Sequence, residues 1–111
     1  MGVIIMSEEQ VFALSNSTKK SFLNSIISRC YKILHLIEEL PTTGFEPDKF
    51  IHGLWWEVAA ADSLFEGKLA SVVIKIKGIE DDYRKMSFQD VKSQINEIKR
   101  IINRILREIG G

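Results

Sequence analysis

Ser87 to Gly111 reads SFQDVKSQINEIKRIINRILREIGG, and the fold is decided by this stretch. Val91, Ile95, Ile98, Ile102, Ile105 and Ile109 alternate spacings of four and three without a break, the pattern of one continuous apolar helix face. Ser87 has the side chain of a good N-cap, and Gly110-Gly111 supplies the stop. Lys92, Lys99, Arg100, Arg104 and Arg107 fall off this seam, as charged residues do in a coiled-coil-like helix. A stripe of this kind has to be covered by other apolar faces.

Upstream, Lys68 to about Arg84 carries Leu69, Val72, Val73, Ile76, Ile79 and Tyr83 at mostly helical spacings, interrupted by Gly78. Val72 to Gly78 is also β-branched and partly alternating, which suits a strand, but Val3-Ile4-Ile5 is its only obvious partner. A lone two-stranded ribbon is marginal in water, so a helix is expected. Pro47 suits the start of the preceding helix, whose stripe is read as Phe50, Leu54, Val58, Ala61 and Phe65, with Gly67 as its stop. Pro41 and Pro47 bracket the strongest interior loop signal. Before it, Phe22, Ile26, Cys30, Ile33, Ile37 and Leu40 mark a long helix that Pro41 should end. Ser15-Asn16-Ser17-Thr18 offers caps for it, and Ser7-Glu8-Glu9-Gln10 forms a capping box for a short extra N-terminal helix. The expected architecture is one all-α domain over residues 1–111, a four-helix up-down bundle with antiparallel neighbours.

The chain has 111 residues, 15 basic and 15 acidic, with 45% hydrophobic and 27% charged residues. That mixture belongs to a folded domain and excludes a disordered tail or a generally basic coat protein. A single cysteine, Cys30, makes no internal disulfide and sits on an apolar stripe, where a small buried hydrophobe is expected. No apolar run reaches the roughly 18 residues that cross a bilayer, and the expected location is the cytoplasm.

Catalytic and cofactor signatures are sparse. Neither a G-x-G-x-x-G nor a phosphate-binding P-loop occurs, and one cysteine with two histidines does not make a closed zinc site. No cofactor and no metal are expected. Arg29-Cys30-Tyr31-Lys32-Ile33-Leu34-His35 resembles the Arg-x4–6-His pattern of HEPN ribonucleases, which are all-α domains of similar size. Phe50-Ile51-His52-Gly53 is similar to the histidine end of that motif, with Asp48 as its polar residue and Pro47 where the arginine belongs. The resemblance implies RNA cleavage by Arg29 and His35. In the family, however, the pair belongs to a late helix facing a dimer cleft, whereas here it falls in the first long helix. The small all-α build is also similar to bacteriocin immunity proteins, which implies a bundle neutralising one partner.

Charge is distributed unevenly. From Pro41 to Glu66 one base, Lys49, faces five acids, a net of minus four; from Arg84 to Glu108 seven bases face three acids, a net of plus four. Lys99, Arg100, Arg104 and Arg107 form the candidate basic face, either complementing an acidic neighbour and the helix dipole or meeting a nucleic acid. Trp55 and Trp56 stand about 100° apart on the second helix. Trp56 then groups with His52, Ala59 and Ala60 as a candidate interface, because small residues admit a close partner and tryptophan anchors binding. The leading functional expectation is a cytoplasmic, non-enzymatic interaction protein: an adaptor, regulator or assembly subunit. A nucleic-acid-associated subunit of a defence or phage-related complex is the next. A homodimer or higher oligomer is expected through the second or fourth helix, because two apolar faces exceed what a small monomer tolerates.

Overall fold

The computed structural model describes residues 14–110. They form α1 (Asn16–Thr43), α2 (Asp48–Ala61), a 3-10 turn (Asp62–Phe65), α3 (Ala70–Asp82) and α4 (Phe88–Gly110), with no strand among the described residues. Residues 72–77 are helical. The capping box at Ser7, the extra N-terminal helix and Val3-Ile4-Ile5 lie outside the described residues.

α1 packs most extensively on α4 and α2 on α3, while α3–α4 and α1–α2 contacts close the ring. Every neighbouring pair runs antiparallel. Arg29 meets Glu57 and Phe22 meets Phe65, so α1 and α2 count in opposite directions. Lys75 meets Glu97 and Lys68 meets Glu108, which sets α3 against α4 in the same way. The expected up-down four-helix bundle is present, with α2 and α4 at diagonally opposed corners.

Local chemistry explains the element ends. Ser15 Oγ accepts from the Thr18 backbone N–H at 3.1 Å and starts α1. Pro41 does not end that helix. Its missing N–H removes only the bond toward the Ile37 carbonyl, near the C-terminus where one loss is tolerable, and α1 runs on to Thr43. Gly44 is the true stop: at φ 68° its N–H reaches the Leu40 carbonyl at 2.8 Å. At α4, Asp90 N–H donates to Ser87 Oγ at 3.0 Å and Ser87 N–H to Asp90 Oδ2 at 3.4 Å, a reciprocal cap with Asp in the Glu position.

α2 departs most from expectation. Its buried stripe is Ile51, Leu54 and Val58, while Phe50 is 50% exposed. Relative to Val58, Ile51 lies about 20° away around a helix and Phe50 about 80°, so Ile51 is the better-aligned residue. The helix also ends at Ala61, not at Gly67. The chain tightens into the 3-10 turn, Asp62 Oδ1 accepts from Leu69 N–H at 2.8 Å, and Glu66 and Gly67 take left-handed conformations. This turn delivers Phe65 and Leu69 into the core, where Phe65 stacks on Phe22 with centroids 5.7 Å apart.

The core joins Leu23, Ile26 and Cys30 of α1 and Val72, Ile76 and Ile79 of α3 to the α4 seam, where Ile98 and Ile102 are fully buried. The α4 stripe is therefore satisfied within one chain, which removes it as an apolar surface for a partner. Cys30 is a core residue, and burial pushes its thiol up to about 12, leaving it protonated and unreactive at neutral pH. Gly78 lies inside α3 with open space where a Cβ would stand. Gly78→Ala is expected to raise stability by about 0.5–1 kcal/mol, because alanine limits the unfolded chain and meets no obstacle when folded. A urea titration monitored by circular dichroism measures the change.

Candidate functional site

The core demands only one side of α2. The other side turns Lys49, Gly53, Trp56 and Ala60 outward, with Phe50 at one edge. Trp56 is 62% exposed, and Phe45, at 48%, lies with its ring centroid 5.9 Å from that of Phe50. Gly53 stands between Phe50 and Trp56 with nothing within 4 Å of a Cβ placed there. The result is bare backbone flanked by aromatic rings. Beside it, Arg29, Lys32, Ile33 and Phe50 line a groove of about 190 Å³, and Arg29 on its wall pairs with Glu57.

The remaining candidate interface residues divide. Ala60 is exposed with Trp56, and Ala59 is half-buried. His52 is exposed but belongs to the α2–α3 seam, where its Nδ1 lies 3.0 Å from Glu80 Oε2 and its ring 5.2 Å from that of Trp55. Lys77 Nζ, 5.1 Å from the Trp55 ring centre, completes that cluster. Phe45, Phe50 and Gly53 were not singled out as surface residues from the sequence. The 20° against 80° alignment with Val58 is the signal that exposes Phe50.

A polar cluster fastens the α1–α2 loop to the end of α3. Tyr83 donates its hydroxyl hydrogen to Glu46 Oε2 at 2.7 Å, and Arg84 reaches Glu46 at 2.6 Å and Asp48 at 2.8 Å. Burial, then the hydrogen bonds to carboxylates, hold the Tyr83 hydroxyl well above its ordinary value of 10.0. A pKa raised on folding stabilises below the unfolded value and loses that contribution as pH rises through the folded one. Melting temperature is therefore expected to fall as pH rises above about 10, the unfolded tyrosine value. Tyr83→Phe should weaken that alkaline dependence, a comparison that a melting series in matched buffers provides.

Arg29 and His35, the pair that resembles a ribonuclease motif, are engaged separately. Arg29 pairs with Glu57, whereas His35 Nε2 lies 3.2 Å from Glu39 and Nδ1 3.9 Å from Glu38. Six residues of helix set them about 120° apart around α1 and about 9 Å apart along it. No group of three or more metal-binding side chains occurs among the described residues, and no helix there is long and apolar enough to cross a membrane. Lys99, Arg100, Arg104 and Arg107 are all exposed on α4. Another open groove, of about 430 Å³, runs between α3 and α4 past Gly78 and Met86, and Ile74 on its edge is 71% exposed.

These features define an antiparallel four-helix bundle with one aromatic outer face and one basic outer face. Comparison with protein-family models, with curated proteins and with solved structures finds no match to this chain.

Proposed function

We propose that the protein is a cytoplasmic, non-enzymatic interaction module, an adaptor, regulator or assembly subunit, that pairs with a second copy through the outer face of α2. The observation that carries this reading is the aromatic group left in water: Phe45, Phe50 and Trp56 around Gly53. Phe45 and Phe50 pack ring to ring, and Trp56 is exposed on the other side of Gly53, so the outer face of α2 shows the kind of apolar surface that marks an interaction site. Tryptophan is among the residues most enriched at binding hot spots, and a glycine floor lets another helix approach closely. The side chains that sequence analysis flagged for chemistry have structural partners instead: Arg29 and His35 pair with carboxylates, and Cys30 lies in the core. A thiol kept reduced and buried also suits the cytoplasm.

Size exclusion with light scattering at micromolar protein tests the reading. Twice the chain mass of 12.7 kDa is expected. A well-folded species of single-chain mass across that range rejects self-association through α2.

A further inference from the structure

We infer that the outer face of α4 binds the phosphate backbone of a double-stranded nucleic acid without reading its sequence. At 100° per residue, the five bases of α4 occupy an arc of about 140° centred nearly opposite the buried seam. All three acids of the helix, Asp90, Glu97 and Glu108, fall beside one edge of that arc. Two of them are paired from α3 and the turn before it: Lys75 Nζ lies 2.7 Å from Glu97, and Lys68 Nζ lies 3.0 Å from Glu108. Neighbouring lysines thus pair with two of the three acids, while none of the five bases forms an ion pair among the described residues. The tertiary structure thus enlarges a surplus of positive charge that α4 already carries.

α1 extends the same surface. Lys20 carries its ammonium to within 3.8 Å of a Cβ built on Gly110 at the end of α4. Tyr31 donates its hydroxyl hydrogen to Asn96 at 3.0 Å, and Lys99 Nζ stands 5.6 Å from the Tyr31 ring centre. From Lys92 to Arg107 the helix is about 22 Å long, and cations spread along that length over one broad face meet the regular charge of a duplex. Guanidinium groups match phosphate oxygens in pairs, and exposed amides add donors to phosphate and sugar. Single strands are held by stacked bases, and among the described residues this face carries only the ring of Tyr31, which is already engaged. An anionic membrane is disfavoured for a different reason. A helix lying in a membrane surface inserts its apolar side, whereas the apolar side of α4 is committed to the core. The basic face also points away from α2, so pairing through α2 leaves it free in both copies.

The test uses the full chain with fluorescently labelled mixed-sequence RNA and DNA duplexes, followed by anisotropy over a salt series. Four phosphate contacts, by Lys99, Arg100, Arg104 and Arg107, predict a log–log slope near −3.6, or about 150-fold weaker binding between roughly 50 and 200 mM salt. Arg100→Gln with Arg104→Gln should shift that slope by about 1.8 toward zero and weaken low-salt binding to both duplexes alike. Both residues are exposed, so the circular dichroism spectrum should not change. The relative affinities of the two duplexes separate an RNA-binding role from a DNA-binding one. Absence of binding at low salt, binding untouched by the double substitution, or stronger binding to phosphatidylserine vesicles or polyglutamate overturns the inference.

Discussion

Ile98→Asp is expected to leave the protein unfolded at neutral pH. Ile98 is fully buried in the α4 seam, and no polar or charged side chain is buried among the described residues. An aspartate there finds neither a cation nor a hydrogen-bond donor, and an unpaired buried charge costs several kcal/mol on top of the lost packing. Small domains hold only about 5–15 kcal/mol of stability in total. Ile98→Ala removes packing alone and should cost about 2–5 kcal/mol, leaving a folded protein with a lower urea midpoint. Ile74→Asp is the control, since Ile74 is 71% exposed on α3 and the change there should stay within about 0.5 kcal/mol. Acidification adds a second readout with a definite sign. Burial raises the pKa of the introduced carboxyl, so its penalty is relieved as pH falls through the folded value. The native chain goes the other way, because Tyr83 and Arg84 hold Glu46 and Lys75 holds Glu97 below the ordinary carboxylate range. Their contribution is present above the unfolded pKa and is lost in acid. An Ile98→Asp protein as stable as the Ile74→Asp control would contradict the burial of the α4 seam.

The part of this architecture that could be read in advance was the part set by short-range periodicity. The unbroken four-three repeat of α4 has no alternative as a strand, and the caps at Ser15 and Ser87 act within three residues of their own position. The core location of Cys30 followed from the same spacing. What escaped was whatever depends on a second element. An apolar stripe announces that it will be covered but not by what, so the α4 seam looked like a partner surface until α1 and α3 were seen to cover it. Phe50 and Ile51 are both within one turn of Leu54, and only alignment with Val58 decides which points inward. The turn at Asp62 depends on a carboxylate reaching Leu69, seven residues away, which no helix stop signal encodes. The basic surplus of α4 was legible in its composition, but the pairing of its acid Glu97 with Lys75, 22 positions away, arises only in the bundle. The candidate interface was partly legible for the same reason: Trp56 and Ala60 share an outward face that helix geometry dictates. His52 is drawn aside by Glu80, a residue of another helix.

Trp56→Glu is expected to convert the proposed dimer into monomers without disturbing the fold. Two consequences of the same substitution separate cleanly because Trp56 is 62% exposed. Within the chain its ring covers little of the core, so melting temperature and helical content should remain close to those of the unaltered protein. Between chains the effect is large. Losing a tryptophan hot spot costs at least about 2 kcal/mol, or roughly a 30-fold weaker association. Two-fold symmetry adds to this, since each copy brings its own new carboxylate to the same patch and like charges oppose one another across the axis. Trp56→Phe keeps an aromatic ring without a charge and should retain most of the association. Gly53→Leu approaches the same face from the opposite direction: a Cβ there meets nothing within 4 Å, and the added side chain fills the floor on which a partner helix would rest. Trp56→Glu and Gly53→Leu should therefore both shift the mass by light scattering from two chains to one, although one removes bulk from the patch and the other adds it. A mass unchanged by both would place any association elsewhere on the bundle. Unfolding caused by Trp56→Glu would mean that the indole is held inside the chain.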